Sequence, residues 1–373
     1  MEPPESFPIN SIAEETSRFK GRRRSQMEQF RVWVAEDSYA DYDEERRIVE
    51  GAGGKLSFAK CRSEQDIVEQ CRGANAILLR QTPAGEQVFK NLSGLKVLSR
   101  YGAGCDNVDI PAATRYGVVV TAVPDYCIGE VADHTIALLF SLIRSIPLRD
   151  RLVRSGSWDL GTDCPAYRTK RKNFGLVGYG KTARETRKRL SGFPFQFFAC
   201  DPYVNKEIFR SEDIIPLDFK KLAIICDYIS IHLPLNEQTR HLFCLSTFKM
   251  MKKTALLVNT SRGAIVDNRA LYTALKEGYI GGAALDVLET EPFDMKSPLK
   301  EIDSVILTDH AAWYSEESRH ELQRRTAAEA VSVLSGDLPA NPVNPEVLSQ
   351  RIIAMREKMP GKREEEILLK LSN

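Results

Sequence analysis

The stretch "NFGLVGYGKTARE", Asn173–Glu185, decides the architecture. An apolar run of strand type leads directly into Gly178 and Gly180, with the small residue Ala183 three positions later. A strand that ends in G-x-G-x-x-G/A and opens a helix makes a cradle for a dinucleotide. The first glycine permits the tight turn, the second lets the backbone approach a pyrophosphate, and the helix N-terminus offers free N–H groups and positive potential. Such a cradle calls for an acid at the end of the following strand, roughly 20 residues on, to accept hydrogen bonds from the ribose hydroxyls. The segment "FFACDPY" places Asp201 there. A carboxylate at that point repels a 2′-phosphate, so NAD is expected over NADP.

Outward from this unit the chain alternates short apolar runs with helical segments. Upstream lie "RVWVAED", "KLSFA", "NAILLR", "LKVLSR" and "GVVVT"; downstream lie "FQFFACD", "CDYISIHL", "TALLVNT", "GGAALDV" and "DSVILTD". Alternation of this kind builds parallel sheets covered by helices, and a chain of 373 residues is long enough for two such modules. Between them "GEVADHTIALLFSLIRSIPLRDRLVRSG" is expected as one long helical stretch, and "SEESRHELQRRTAAEAVSVLSG" as the last substantial helix. The expected division is an extension over 1–28, a substrate domain over 29–124 and 315–346, a nucleotide domain over 125–314, and a tail over 347–373. The extension is rich in charge and proline and is expected to be disordered.

Composition narrows the function. Lys plus Arg is 52 and Asp plus Glu is 51, a balance that offers no field for nucleic acid or an anionic membrane. The longest apolar run, "IALLFSLI", is too short to span a bilayer. The eight cysteines are scattered with no C-x-x-C pair, which fits reduced thiols in a cytoplasmic protein, and no metal site is expected. Small-molecule chemistry is the class that remains.

Four segments resemble the D-isomer-specific 2-hydroxyacid dehydrogenases over about residues 30–345: "SRYGAGCDNVD", "GLVGYGKTA", "VNTSRGAIVD", and "ALDVLETEPF" with "TDHAAWYSE". Within that family "HAAWYSE" is most similar to the branch holding the C-terminal-binding-protein corepressors and their bacterial dehydrogenase relatives. The resemblance implies a Rossmann NAD domain inserted into a flavodoxin-like substrate domain, and a homodimer formed through the long helical stretch.

It also implies roles. Arg262 grips the carboxylate and keto oxygen of a 2-keto acid, His310 donates the proton in reduction and accepts it in oxidation, and Glu291 holds the other ring nitrogen of His310. On the cofactor side stand Gly178, Tyr179, Gly180, Lys181, Thr182, Ala183, Asp201, Leu233, Pro234, Thr239, Thr260, Asp286 and Ala103. Asp286, following an apolar strand, is expected to take a donor from the nicotinamide carboxamide. Backbone amides of Tyr101, Gly102 and Ala103 are expected to hold the substrate carboxylate, with Arg100 adding charge and Trp313 walling the substrate side chain. An apolar or thioether side chain is expected there, because the matched segments supply no further cation. His134, His232, His241 and His320 are read as structural. Two functions stay open: an NAD-dependent 2-hydroxyacid dehydrogenase, and an NADH-sensing binding protein of corepressor type.

Overall fold

The computed structural model describes residues 29–36, 39–159 and 165–348. The extension over 1–28 and nearly all of the tail lie outside the described residues. The chain divides into two compact units, one comprising Met1–Tyr126 with Arg319–Asn373, the other Cys127–Ser318.

The first unit is built on a parallel sheet of five strands: β1 (Arg31–Val34), β2 (Lys55–Phe58), β3 (Ala76–Leu79), β4 (Val97–Arg100) and β5 (Val119–Thr121), in the order β2-β1-β3-β4-β5. This is the flavodoxin-like order. All four residues of β3, "AILL", are buried, as a strand covered by helices on both faces requires. Helix α1 (Asp43–Gly51) packs beside β2 and buries Glu45 and Val49.

The second unit carries seven parallel strands: β6 (Asn173–Val177), β7 (Gln196–Cys200), β8 (Ile215–Pro216), β9 (Tyr228–Ile231), β10 (Leu256–Asn259), β11 (Gly282–Leu285) and β12 (Val305–Leu307). Their order is β12-β11-β10-β9-β6-β7-β8. The winding reverses between β6 and β9, and open α/β sheets bind ligands outside the carboxyl ends of strands at such a point. The register pairs Val177 with both Cys200 and Ile231, so the loops that leave these three strands start side by side.

The expected single helix is two. Helix α2 (Ile128–Ile143) and helix α3 (Ile146–Arg154) meet at a bend of 60°. Pro147 sits in the first turn of α3, where it has no N–H to give the preceding turn and its ring would strike the carbonyl four residues back. Ser145 takes a left-handed φ of 51° to make the corner. Helix α2 is the apolar one, burying Ala132, Thr135, Leu138, Leu139, Leu142 and Ile143 against β10, β11 and β12. No single helix among the described residues is long and apolar enough to cross a membrane. Two further helices matter below: α4 (Lys181–Arg189), which packs on α2, and α5 (Glu316–Leu334), through whose first turn the chain leaves the second unit.

Candidate active site

The dinucleotide loop lies between β6 and α4. Gly178 has φ 87°, and a Cβ there would stand 2.5 Å from the carbonyl oxygen of His232 at the end of β9. Only glycine fits a backbone pressed this close to its neighbour. Gly180 is the N-cap of α4 in extended conformation, and a Cβ on it would meet open space. The first N–H groups of the helix follow directly, and helix N-termini of this kind hold a pyrophosphate. Asp201 closes the cradle: its Oδ2 accepts from Tyr179 N at 2.8 Å and its Oδ1 from Tyr203 N at 2.9 Å. A carboxylate oxygen has room for a second donor, so both remain able to accept from ribose hydroxyls. These residues therefore fit NAD.

Several of the expected cofactor residues have side chains already engaged within the chain. The Tyr179 ring is buried, its hydroxyl donates to Glu212 Oε2 at 2.6 Å and its ring packs on Phe209, so only its backbone faces the loop. Ala183 is buried, and Lys181 is exposed with Thr182 half-buried beside it. After β9, Leu233 is half-buried and Pro234 is exposed. The Thr239 hydroxyl donates to Pro234 O at 2.7 Å and accepts from Asn236 N at 2.8 Å, closing its own loop. The Thr260 hydroxyl is likewise engaged: Thr135 Oγ1 donates to Val131 O, so Thr260 donates to Thr135 across 2.8 Å. The His232 ring, half-buried, has its pKa pushed down to about 4 by desolvation and stays neutral, in keeping with a structural role.

Three strand ends hold the catalytic residues. After β10, Asn259 accepts from Ser261 N and Ser261 Oγ and donates to Arg262 O at 2.9 Å, which fixes the backbone that carries Arg262. The Arg262 guanidinium donates to Ser261 O at 2.7 Å, and the side chain is partly exposed. After β11, Glu291 Oε1 accepts from Leu288 N at 3.0 Å, and its Oε2 lies 2.7 Å from His310 Nδ1. Burial pushes the Glu291 carboxyl up, but the hydrogen bond and charge of His310 and the Leu288 amide outweigh it and hold the pKa below the usual value. The carboxylate is thus ionised at neutral pH and stabilises a charged imidazole. With Nδ1 committed to Glu291, Nε2 of His310 is the nitrogen left to exchange a proton with a substrate.

Asp286 is almost wholly buried, and the donors it needs come from the chain itself. Its Oδ1 accepts from Thr308 Oγ1 at 2.6 Å and Ala311 N at 2.9 Å, and its Oδ2 from Ala312 N at 3.0 Å. The need of a buried carboxylate for a donor therefore does not by itself argue for a carboxamide contact. Burial raises its pKa, but His134, Thr308 and the two amides together bring it below the usual value. Trp313 is half-buried and packs edge-on to Tyr314 at 5.6 Å.

In the first unit, the loop after β4 corrects the expected carboxylate cradle. Tyr101 N donates to Leu79 O at 2.7 Å and Gly102 N to Arg100 O at 3.0 Å. The β3 pairing runs one residue past β4, and Gly102, at φ 132°, folds back in a tight turn, so neither amide is turned outward. Ala103, exposed, keeps its place in that assignment. The Tyr101 hydroxyl, buried, donates to Glu45 Oε1 at 2.8 Å. Arg80, at the end of β3, lies over the Tyr39 ring at 5.7 Å. Arg80 and Arg100 both oppose the effect of burial, which raises the pKa of the Tyr39 hydroxyl. A second cation, Arg80, thus accompanies Arg100 around the Tyr39 hydroxyl.

Residues 136–312 match a family model described as "D-isomer specific 2-hydroxyacid dehydrogenase, NAD binding domain". A glyoxylate reductase of Korarchaeum cryptofilum is 36% identical over 296 residues, 78% of this chain and 88% of that protein. A D-3-phosphoglycerate dehydrogenase of Methanocaldococcus jannaschii is 34% identical over 78% of this chain and 56% of its own length. Among solved structures, the apo D-lactate dehydrogenase of Escherichia coli aligns with a TM-score of 0.73 and 27% identity, covering 84% of this chain and all of that one.

Proposed function

The chain belongs to the D-isomer-specific 2-hydroxyacid dehydrogenase family, and from that membership we propose that it interconverts a 2-keto acid and a D-2-hydroxy acid with NAD. The observation that carries this reading is the pair of His310 Nδ1 and Glu291 Oε2 at 2.7 Å, on the same unit as the G-x-G loop and Asp201. NADH, held at Gly178, Gly180 and Asp201, would supply the hydride for the carbonyl carbon. His310 Nε2 gives the proton to the carbonyl oxygen as negative charge develops there, and Glu291 stabilises the imidazolium before the transfer. Arg262 presents a planar fork of N–H donors to the carboxylate and keto oxygen. Arg100 and Ala103 remain assigned to the substrate carboxylate, and Trp313 to the substrate side chain, on the strength of the matched segments. A panel of 2-keto acids graded by side-chain size and charge, followed by loss of NADH absorbance, tests the reading. Turnover with at least one member supports it, and none with any member overturns it.

Asp201 sets the cofactor. NADH is expected to exceed NADPH by about tenfold or more in kcat/KM, because the carboxylate would face a 2′-phosphate of like charge. Asp201→Ala is expected to narrow that ratio; a higher kcat/KM with NADPH in the wild type would contradict the assignment.

Assembly as a homodimer is proposed from α3. No residue of this helix is buried within the protomer, and Ile146, Val153 and, just beyond it, Trp158 at 90% exposure present an apolar face to solvent. A face of this kind suits an isologous contact with a second copy. Light scattering should return twice the 42.0 kDa chain mass, and a mass of one chain at micromolar concentration would remove the proposal.

The "HAAWYSE" segment supports a place near the C-terminal-binding-protein branch, and with it the second reading, an NADH-sensing binding protein. Tight NADH binding with no turnover of any keto acid would favour that reading. Free thiols throughout the described residues support a reducing compartment such as the cytoplasm.

A further inference from the structure

One face of α2 is tied by hydrogen bonds to the segment that carries the proton donor. Glu130 and His134 are one helical turn apart. Glu130 Oε1 accepts from Ser315 Oγ at 2.9 Å, and His134 Nε2 lies 3.1 Å from Thr308 Oγ1 and 3.4 Å from Asp286 Oδ1. Both ends of the stretch from Thr308 to Ser315 are thereby fastened to one helix. Thr135, next in sequence, holds Thr260, two residues before Arg262.

The directions of these bonds can be assigned. Asp286 is a carboxylate and accepts, so the Thr308 hydroxyl must donate to it; the oxygen of Thr308 then accepts from His134, which places the proton on Nε2 of His134. The chain of donors runs from His134 through Thr308 to Asp286. Asp286 in turn receives Ala311 N and Ala312 N on its carboxylate and His310 N on its backbone oxygen at 2.8 Å. His310 has φ 58°, a left-handed conformation that a residue with a Cβ holds only where its surroundings determine it. The Asp286 carboxylate and carbonyl do so, and that buried carboxylate keeps its orientation only while its own donors are in place.

We propose that His134 is a positioning residue for His310, acting through Thr308 and Asp286 to hold the turn that aims the imidazole at Glu291. This role rests on the reading of His310 as proton donor. The titratable groups tied to the His310 turn are Glu291 on the loop after β11, Asp286 beneath the turn, Asp309 beside it in sequence, and His134 on α2. Of these, Glu291 makes the direct contact at 2.7 Å and sets how readily the ring charges. Removal of the His134 N–H lets the turn relax, lengthens the Glu291 contact and makes the imidazolium harder to form.

The experiment is a titration of the holoenzyme with NADH, carbon-13-labelled at histidine, with the His310 resonance assigned by its loss in His310→Ala. His134→Ala is expected to lower the His310 pKa by about half a unit or more. It should also lower kcat for keto-acid reduction about tenfold, the value of one hydrogen bond lost from a buried network, with KM for NADH unchanged. His134→Gln should restore most of both, since a glutamine amide places an N–H where Nε2 stood. Thr308→Val, which keeps shape and removes the hydroxyl, should reproduce the shift even where His134→Ala does not fold. A His310 pKa equal to wild type in His134→Ala or Thr308→Val would overturn the proposal, as would a His134→Gln enzyme no better than His134→Ala. If the wild type reduces no keto acid, the functional reading fails, while the titration still decides the role of His134.

Discussion

His310→Ala is expected to lower kcat for keto-acid reduction by roughly two to four orders of magnitude, the usual share of a positioned general acid, while leaving NADH affinity at its wild-type value. The separation follows from the geometry. The dinucleotide loop and Asp201 stand on β6 and β7, and His310 follows β12 at the far end of the same sheet, so the truncation touches no cradle residue. It removes one proton donor and leaves Glu291 without its partner. Glu291→Gln should be milder and should move the pH profile in a defined direction. Reduction needs the imidazolium, so its rate falls as pH rises through the His310 pKa. An amide stabilises the charged ring less than a carboxylate, so that pKa drops and the falling limb moves to lower pH. Steady-state kinetics over about pH 5 to 8 measure both. A His310→Ala enzyme as active as wild type over that range would end the assignment.

Arg262→Ala is expected to reduce kcat/KM for the keto acid by about three orders of magnitude, with kcat falling and KM rising together. A guanidinium that grips the carboxylate contributes to binding, and one that also faces the keto oxygen stabilises charge present only in the transition state; the loss of one such donor costs about two to three orders of magnitude in rate. The backbone around it is held by three hydrogen bonds of the Asn259 side chain, and the guanidinium adds one to Ser261 O, so the loop should survive the truncation. Arg262→Lys should recover little, because an ammonium cannot present two parallel donors. An Arg262→Ala enzyme that loses only KM would place the residue in binding alone.

Much of this was legible in the sequence because buried parallel strands read as continuous apolar runs. β3 and β11 are buried at every position, and each shows as such a run. The Gly178, Gly180 and Asp201 cradle was legible because turn, close approach and ribose contact each demand one residue type at one spacing. The break between α2 and α3 was not read, since the apolar pattern continues past Arg144 and masked the signal of Pro147. β8 was missed because Ile215–Pro216 is a two-residue edge strand with both residues exposed. The engaged amides of Tyr101 and Gly102 were beyond reach, for backbone pairing leaves no mark on side-chain identity there. His134 could not be tied to Thr308 and Asp286, since a contact across so much chain has no local signature; only its spacing from Glu130 on a helix was visible.

Transfer of the hydride itself can be followed with an isotope. The enzyme is incubated with NADH deuterated at the transferable position and with the keto acid that the panel identifies, and the product is resolved by chirality and mass. The expected product is a D-2-hydroxy acid carrying one deuterium on C2, formed mole for mole with NAD. NADH that binds but transfers no label to any keto acid would contradict it.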